Sequence, residues 1–217
     1  MSTSYCIHRH GASRSFPIAH PFIEAARPDG SGQVFLGEGA GAALAAARDL
    51  GGAAFVLIEL GTECLGAHTG ESRGLEGSNV LGFARYRLGR GQPTDLIELV
   101  RQPATYADAL AQARATLEAA GLKVAVCNDF PGRIVDRLVR PYLNAALRRL
   151  DEKLASADDL DKTLCLGLGY PEGPIALLER TGLAEHQRVT QALYEALGQE
   201  PYAPARRAQV ARQRGHG

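Results

Sequence analysis

The chain has 217 residues, 45% of them hydrophobic, which is enough for one domain or two small ones with a buried core. Lysine plus arginine and aspartate plus glutamate both number 24, which argues against a general attraction to nucleic acid or to an acidic membrane surface. No apolar run is long enough to span a membrane, and the four cysteines form no C-x-x-C pair. We therefore predict a cytoplasmic protein without disulfides.

Residues 1 to about 32 mix histidines with prolines and predict an irregular lead-in on the surface of the first domain. The histidines show no regular ligand spacing, so we predict no metal site.

A strand, a glycine turn, a helix and a second strand are predicted next. Gln33–Leu36 is a short apolar run, and an alanine-rich helix follows the turn to about Leu50. The unbroken apolar run Ala53–Ile58 predicts a buried strand. This order is typical of a dinucleotide-binding βαβ unit.

The turn itself supplies the candidate cofactor residues. Gly37, Gly39 and Gly41 would approach the pyrophosphate of NAD, and Glu59, about twenty residues on, would bind a ribose hydroxyl. The alternative is that these glycines serve backbone geometry alone.

A polar, glycine-rich stretch from Gly61 to Arg90 is a second candidate site. Cys64 and His68 could act as nucleophile and base, or His68 could form an acid–base pair with Glu63 or Glu71. The alternative is an ordinary solvated loop. The other polar residues of the stretch from Gly61 to Arg90 include Thr69, Ser72, Arg73, Glu76, Ser78, Asn79, Arg85 and Tyr86.

Further strands are predicted near Val80, at Leu96–Val100 and at Lys123–Cys127, with a helix at Tyr106–Ala120. The sequence thus predicts a reduced Rossmann-like α/β domain over residues 1–128 and an all-α domain over residues 129–217.

A long helix is predicted from Ile134, with a broad apolar stripe facing inward and polar residues, including Arg140 and Asn144, on the exposed side. Pro141 predicts a kink or a break within it. Ser156 is expected to cap the next helix, in which Leu160 and Leu164 point inward. A further helix is predicted at Leu183–Leu197. The tail from Gln199 is expected to be frayed.

Motifs within the second domain resemble the C-terminal helical domain of the 3-hydroxyacyl-CoA dehydrogenase family. They are D-x-P-G-x-I-V-x-R-L at Asp129–Leu138, P-Y-L-N-x-A at Pro141–Ala146, A-S-x-x-D-L-D at Ala155–Asp161 and G-x-G-Y-P-x-G-P at Gly167–Pro174. The resemblance implies a homodimer through these helices and an enzyme of acyl-CoA β-oxidation that oxidises 3-hydroxyacyl-CoA with NAD. The first domain resembles the shortened second copy of fused 3-hydroxybutyryl-CoA dehydrogenases.

The resemblance also implies catalytic positions. Family members use a histidine as base, a glutamate that orients it, and a serine and an asparagine near the substrate oxygen. The glutamate corresponds to Glu98, and the histidine position falls on Ala84 or Tyr86, depending on the gap. The asparagine is replaced by Asp136, which alternatively forms a helix-face ion pair with Arg140.

The serine-bearing segment corresponds to Ala67–Gly70, where no serine is present and His68 is the candidate substitute base. We therefore expect a catalytically degenerate family member. The alternatives are a non-catalytic dimeric protein that binds an acyl-CoA-like molecule or serves a partner enzyme, and a different chemistry at Glu63, Cys64 and His68.

Overall fold

The computed structural model describes residues 3–71 and 78–215. The chain divides into two compact units, residues 1–87 with 93–133 and residues 88–92 with 134–217. Three residues of the predicted polar loop, Ser72, Arg73 and Glu76, lie outside the described residues.

The first unit is built on one sheet. Its six described strands are β1 (Tyr5–Arg9), β2 (Gly32–Leu36), β3 (Val56–Glu59), β4 (Val80–Arg85), β5 (Leu96–Arg101) and β6 (Lys123–Asn128). They lie in the order of the chain, and all neighbours are parallel except the antiparallel pair β4 and β5. Together with the helical second unit, this confirms the predicted fold class.

Helices cover the sheet. They are α1 (Pro21–Glu24), α2 (Ala40–Ala46), α3 (Gly66–Thr69) and α4 (Ala107–Ala119), with a 3₁₀ turn at Leu50–Gly52. The alanine-rich helix ends at Ala46, before its predicted end at about Leu50, and the 3₁₀ turn begins only at Leu50.

Both faces of the sheet are buried, which explains the unbroken apolar runs in its strands. On β3, Leu57 packs into one apolar cluster with Phe16 and Phe22, while Val56 and Ile58 pack into another. Alternate residues of one strand therefore stabilise two separate layers.

The prediction of an irregular lead-in was wrong for β1 and its connection to β2. Tyr5 pairs in register with Gly32, and the ring of Tyr5 stacks on Phe22 with centroids 4.8 Å apart. Phe16 stacks on the other side of Phe22 at 5.1 Å. The strand escaped prediction because His8 and Arg9 interrupt any apolar run on this edge strand.

The strand order bears directly on nucleotide binding. In doubly wound sheets the nucleotide crevice opens where the strand order reverses direction. The described sheet runs from β1 to β6 without such a reversal. Its glycine turn therefore does not lie at a topological switch point.

The second unit is helical. It contains α5 (Ile134–Asp151), α6 (Ala157–Leu168), α7 (Pro174–Thr181), α8 (Leu183–Leu197) and α9 (Arg206–Gln213), with a 3₁₀ turn at Glu200–Tyr202. Ser156 caps α6 as predicted, since its hydroxyl accepts from the amide of Asp159 at 3.1 Å. The prediction of a frayed tail was wrong, because Tyr202, Ala205 and Ala208 are buried.

The long helix runs through Pro141 without a break. Proline has no N–H, so it cannot donate to the carbonyl of Arg137 one turn earlier. The hydroxyl of Tyr202 donates to that carbonyl instead, at 3.0 Å, and accepts from Nε of Arg137 at 3.0 Å. The tail thus donates a hydrogen bond to a carbonyl to which the proline cannot donate.

We expect Tyr202→Phe to lower the free energy of unfolding by about 1–3 kcal/mol, because the part-buried carbonyl of Arg137 would lose the hydroxyl of Tyr202 as a donor. Urea denaturation measures this effect. Tyr194→Phe, a change at an exposed tyrosine of the same unit, should stay within about 0.5 kcal/mol of the native value. Equal effects of the two changes would contradict the role given to Tyr202.

The predicted sides of α5 are partly reversed. Arg140 and Asn144, expected on the exposed side, are 1% and 0% exposed, whereas Leu138 from the apolar stripe is 71% exposed. Leu160 and Leu164 of α6 are only half-buried. The polar residues can be buried because other groups of the unit bond most of their polar atoms.

Candidate functional site

The backbone of the glycine turn is already hydrogen-bonded within the chain. The amide of Gly37 donates to Oε2 of Glu59 at 2.8 Å, that of Glu38 to the carbonyl of Ala12 at 3.2 Å, and that of Gly39 to the carbonyl of His10 at 2.9 Å. Gly37 has φ +96°, and a Cβ there would collide with the carbonyl of His10. The connection after β1 thus lies directly on the turn.

Glu59 holds that connection in place. Its carboxylate is buried at the end of β3, where Oε1 accepts from the hydroxyl of Ser13 at 3.0 Å and from the amide of Ser15 at 2.6 Å. With the bond from Gly37, three donors of the chain converge on this carboxylate. Sequence reasoning missed Ser13 and Ser15, since neither lies in a recognisable motif.

These residues do not fit the pyrophosphate of NAD in the manner of a βαβ unit. That mode needs free amides at the turn and a long helix behind it. Here the amides of residues 37 to 39 have partners, and α2 has seven residues. The assignment of Gly37, Gly39, Gly41 and Glu59 to NAD stays a prediction that this geometry does not support.

His68 lies beside the same turn. A Cβ on Gly41 would collide with its imidazole ring, so only glycine allows this approach. Its Nε2 lies 3.6 Å from Oε1 of Glu63 and, within the described part of the chain, is buried without a hydrogen-bond partner. Among the predicted loop residues that the structure describes, only His68 and Glu63 are placed like an acid–base couple.

Asp129 fixes the segment that carries His68. Its two carboxylate oxygens accept from the amides of Leu65 and Gly66, each at 2.7 Å, at the start of α3. The carboxylate thus satisfies two of the amides that the first turn of a helix leaves unpaired.

The thiols near this segment are not activated. Burial raises the pKa of Cys64, and the charge of Asp129 raises it further. Burial likewise raises the pKa of Cys127 to about 11. A nucleophilic cysteine needs a lowered pKa, because the thiolate is the reactive form. The geometry therefore does not support Cys64 as a nucleophile.

Glu98 lies inside the sheet and is 1% exposed. In the register of β5 it faces Ala84 of the antiparallel strand β4 and Ala125 of β6. Directly opposed residues of antiparallel strands have Cβ atoms about 5 Å apart on one face. Of the two candidate histidine positions, Ala84 is therefore the one that faces Glu98, and its methyl group cannot take up a proton.

Asp136 lies in the helical unit and forms the ion pair that was the alternative to a substrate role. Its Oδ1 accepts from Nε of Arg140 at 2.8 Å. Arg140 is 1% exposed and Asp136 15%, so this is a buried pair and not a helix-surface one. One guanidinium nitrogen, Nη2, is buried without a partner among the described residues.

A buried polar chain continues from this pair. Arg140 Nη1 donates to Nδ1 of His186 at 3.1 Å, which places the imidazole proton on Nε2, and Nε2 donates to Oδ1 of Asn144 at 2.9 Å. The amide of Asn144 then donates to the carbonyls of Pro201 and Ala203. Sequence reasoning missed this network, because its members are far apart along the chain.

His186 gives the network a pH dependence. Burial, helped by the charge of Arg140, lowers its pKa from 6.5 to about 3. The unfolded state therefore binds the proton first as the pH falls, and stability decreases by about 1.4 kcal/mol per pH unit between about pH 6.5 and about pH 3. Above about pH 6.5 the contribution is constant.

We expect His186 to account for a loss of about 2 kcal/mol in the free energy of unfolding between pH 7.5 and pH 5.0. His186→Gln, whose amide can accept from Arg140 and donate to Asn144, should show a pH difference smaller by that amount. Urea titrations at both pH values measure it. His10→Gln, at an exposed histidine, should retain the full difference. An unchanged difference in His186→Gln would contradict the buried neutral imidazole.

Comparisons with known proteins address the family. The model of the 3-hydroxyacyl-CoA dehydrogenase C-terminal domain matches residues 132–216. A probable 3-hydroxybutyryl-CoA dehydrogenase of Deinococcus radiodurans is 31% identical over 110 residues, which are 51% of this chain and 40% of that protein. The mitochondrial hydroxyacyl-coenzyme A dehydrogenase of Sus scrofa is 36% identical over 106 residues, 49% of this chain and 34% of that protein. Residues 132–216 of this chain therefore belong to the C-terminal domain family of the 3-hydroxyacyl-CoA dehydrogenases.

A solved structure supports the fold. The (S)-3-hydroxybutyryl-CoA dehydrogenase of Ralstonia eutropha has a TM-score of 0.70 at 21% identity, over 86% of this chain and 66% of that chain. The chain spans only about two fifths of the length of the curated relatives it matches first. Over the described residues, no helix is long and apolar enough to cross a membrane.

Proposed function

We propose that this chain is a dimer-forming member of the 3-hydroxyacyl-CoA dehydrogenase family that does not itself transfer a hydride. The main support is Ala84, which is one of the two positions where the family resemblance implies a histidine and the one that faces Glu98. Without an imidazole there, no base at that position takes the proton of a 3-hydroxyl group. We further propose a cytoplasmic location, on the scattered cysteines, which form no disulfide framework in the sequence.

The proposed ligand is a short acyl-CoA-type thioester. The support is that the matched relatives are named for 3-hydroxybutyryl-CoA or hydroxyacyl-coenzyme A. The residues at the glycine turn argue against NAD as the second ligand, since Glu59 and the carbonyls of Ala12 and His10 already accept from the turn amides. The protein would then bind the thioester or serve a partner enzyme without oxidising it.

The ligand proposal is tested by thermal unfolding with acetoacetyl-CoA or NADH. Acetoacetyl-CoA at 100 times its dissociation constant should stabilise the protein by about 2.7 kcal/mol, and NADH should leave the melting temperature unchanged. A parallel assay should show no consumption of NADH with acetoacetyl-CoA. Turnover in that assay, or stabilisation by NADH, would overturn the proposal of a protein without hydride transfer.

Dimerisation is proposed through α5 and α6. These helices expose Leu138, Leu166 and Leu168, and Tyr170 just beyond α6 is also exposed. Contiguous exposed apolar residues commonly mark interfaces, and identical chains commonly pair about a two-fold axis.

Light scattering at micromolar concentration tests the dimer. We expect twice the mass of the chain for the native protein and a monomer for the double variant Leu138→Glu, Leu166→Glu. Tyr106→Glu, at an exposed aromatic residue of the first unit, should stay dimeric. A native monomer would contradict this part of the proposal.

A second candidate function is acid–base chemistry at His68. The observation that favours it is the 3.6 Å approach of the imidazole to Glu63, beside a close contact with Gly41. A thioesterase or hydratase assay with 3-hydroxybutyryl-CoA should then show turnover that His68→Gln abolishes, while His20→Gln retains it. Turnover unchanged in His68→Gln would remove this candidate.

A further inference from the structure

A cavity of about 290 Å³ lies within the helical unit, among α5, α7, α8 and α9. Its apolar lining includes Leu147 of α5, Ile175 of α7, Leu183 of α8 and Val210 of α9. Its volume is at the lower end of the range of small-molecule sites, which begins near roughly 300 Å³. The lining would favour a short apolar chain.

Arginines are also among the lining residues of the cavity. Arg206, Arg207 and Arg214 line it, against one lining acid, Glu179. Nη2 of Arg206 and Nε of Arg207 both donate to the same oxygen of Asp151, at 2.9 and 2.7 Å. Each guanidinium carries five N–H donors, so one shared carboxylate oxygen leaves most of them available to a ligand.

The charge on these groups favours an anion. The three arginines carry three positive charges, whereas Glu179 and Asp151 carry two negative ones. The side chains of Arg206 and Arg207 are 69% and 44% exposed, so an anion can reach them from solvent. A guanidinium matches a carboxylate with two parallel hydrogen bonds.

We propose that this cavity binds an amphiphile with a carboxylate head and a short unbranched apolar chain. The carboxylate would lie against Arg206 and Arg207, and the chain would cover the partly buried Leu183 and the exposed Val210. A purely apolar molecule would leave the guanidinium donors unused, and a purely polar anion would leave the apolar lining in water. This site lies within the helical unit and does not depend on the function proposed above.

Calorimetric titration of the full chain with octanoate and octan-1-ol tests the site. We expect one octanoate per chain, bound at least tenfold more tightly than octan-1-ol. Arg206→Gln, which leaves Arg207 on Asp151, should weaken octanoate at least fivefold and leave octan-1-ol unchanged. Ala211→Phe, which places a ring in the cavity, should weaken both.

The matched control is Arg188→Gln, which removes an arginine of the same unit that pairs with Glu185 and does not line the cavity. It should bind octanoate like the native protein. Circular dichroism at the titration temperature verifies that each variant is folded. Absence of octanoate binding, equal affinity for the acid and the alcohol, or octanoate binding unchanged in Arg206→Gln would each overturn the proposal.

Discussion

Replacing Asp136 with alanine is expected to lower the free energy of unfolding by about 3–5 kcal/mol, although the residue is one member of an ordinary i,i+4 pair. The reason is the position of its partner. Arg140 is 1% exposed, and loss of the carboxylate would leave a buried guanidinium with His186 as its remaining described partner. The Nη2 atom of Arg140 already has no hydrogen-bond partner among the described residues.

Urea denaturation of Asp136→Ala at pH 7.5 measures this effect. The matched control is Glu118→Ala on α4, which removes the acid of the exposed i,i+4 pair with Arg114. Because surface pairs of this spacing contribute about 0.3–0.5 kcal/mol, the control should cost less than about 1 kcal/mol. Similar losses in both variants would show that Arg140 finds water or another partner in the native protein.

Asp136→Asn restores the residue that the family resemblance implies at this position. The asparagine oxygen can still accept from Nε of Arg140, but the charge is lost. We therefore expect Asp136→Asn to be more stable than Asp136→Ala and less stable than the native protein. This order separates the structural role of the carboxylate from a role in binding substrate.

Replacing Glu59 with alanine is expected to destabilise the first unit by about 3–6 kcal/mol. The buried hydroxyl of Ser13 and the amides of Ser15 and Gly37 would lose their acceptor together, and a buried donor without a partner costs about 1–3 kcal/mol. The loss should appear in thermal and urea unfolding in the absence of any ligand.

Glu63→Ala provides the control, since it removes a partly exposed acid from the following loop, and it should cost less than about 1 kcal/mol. The comparison also tests the predicted NAD role of Glu59. A ribose-binding acid would lower NADH affinity when removed and change stability little, whereas an acid that holds residues 10–15 on the turn would lower stability. A stable Glu59→Ala protein that loses NADH binding would contradict the structural role.

The substitutions in the family's catalytic positions have a common physical consequence. Ala84 faces Glu98 with a methyl group, and Asp136 is committed to Arg140. Under the proposed function, neither position supplies the neutral donor or the titrating base that hydride transfer from a hydroxyl group requires. The carboxylate of Asp136 acts within the fold instead, where it accepts from Arg140.

Local patterns in the sequence determined most of the elements and the family. Strand residues at β2 to β6, the cap at Ser156 and the helix Leu183–Leu197 follow from runs and spacings within about fifteen residues, where short-range sterics and capping dominate. The ordered motifs from Asp129 to Pro174 were sufficient to indicate the 3-hydroxyacyl-CoA dehydrogenase family, which the family model over residues 132–216 confirms.

Only the tertiary structure decided what the polar residues do. Three contacts illustrate this point: Glu59 accepts from Ser13, Ala84 faces Glu98, and Arg140 donates to His186. The residues in these contacts are 14 to 46 positions apart along the chain. Spacing along the chain carries no information about such pairs, because strand order and helix packing bring them together. Burial then sets their chemistry, since a polar group removed from water must find its partners inside the protein.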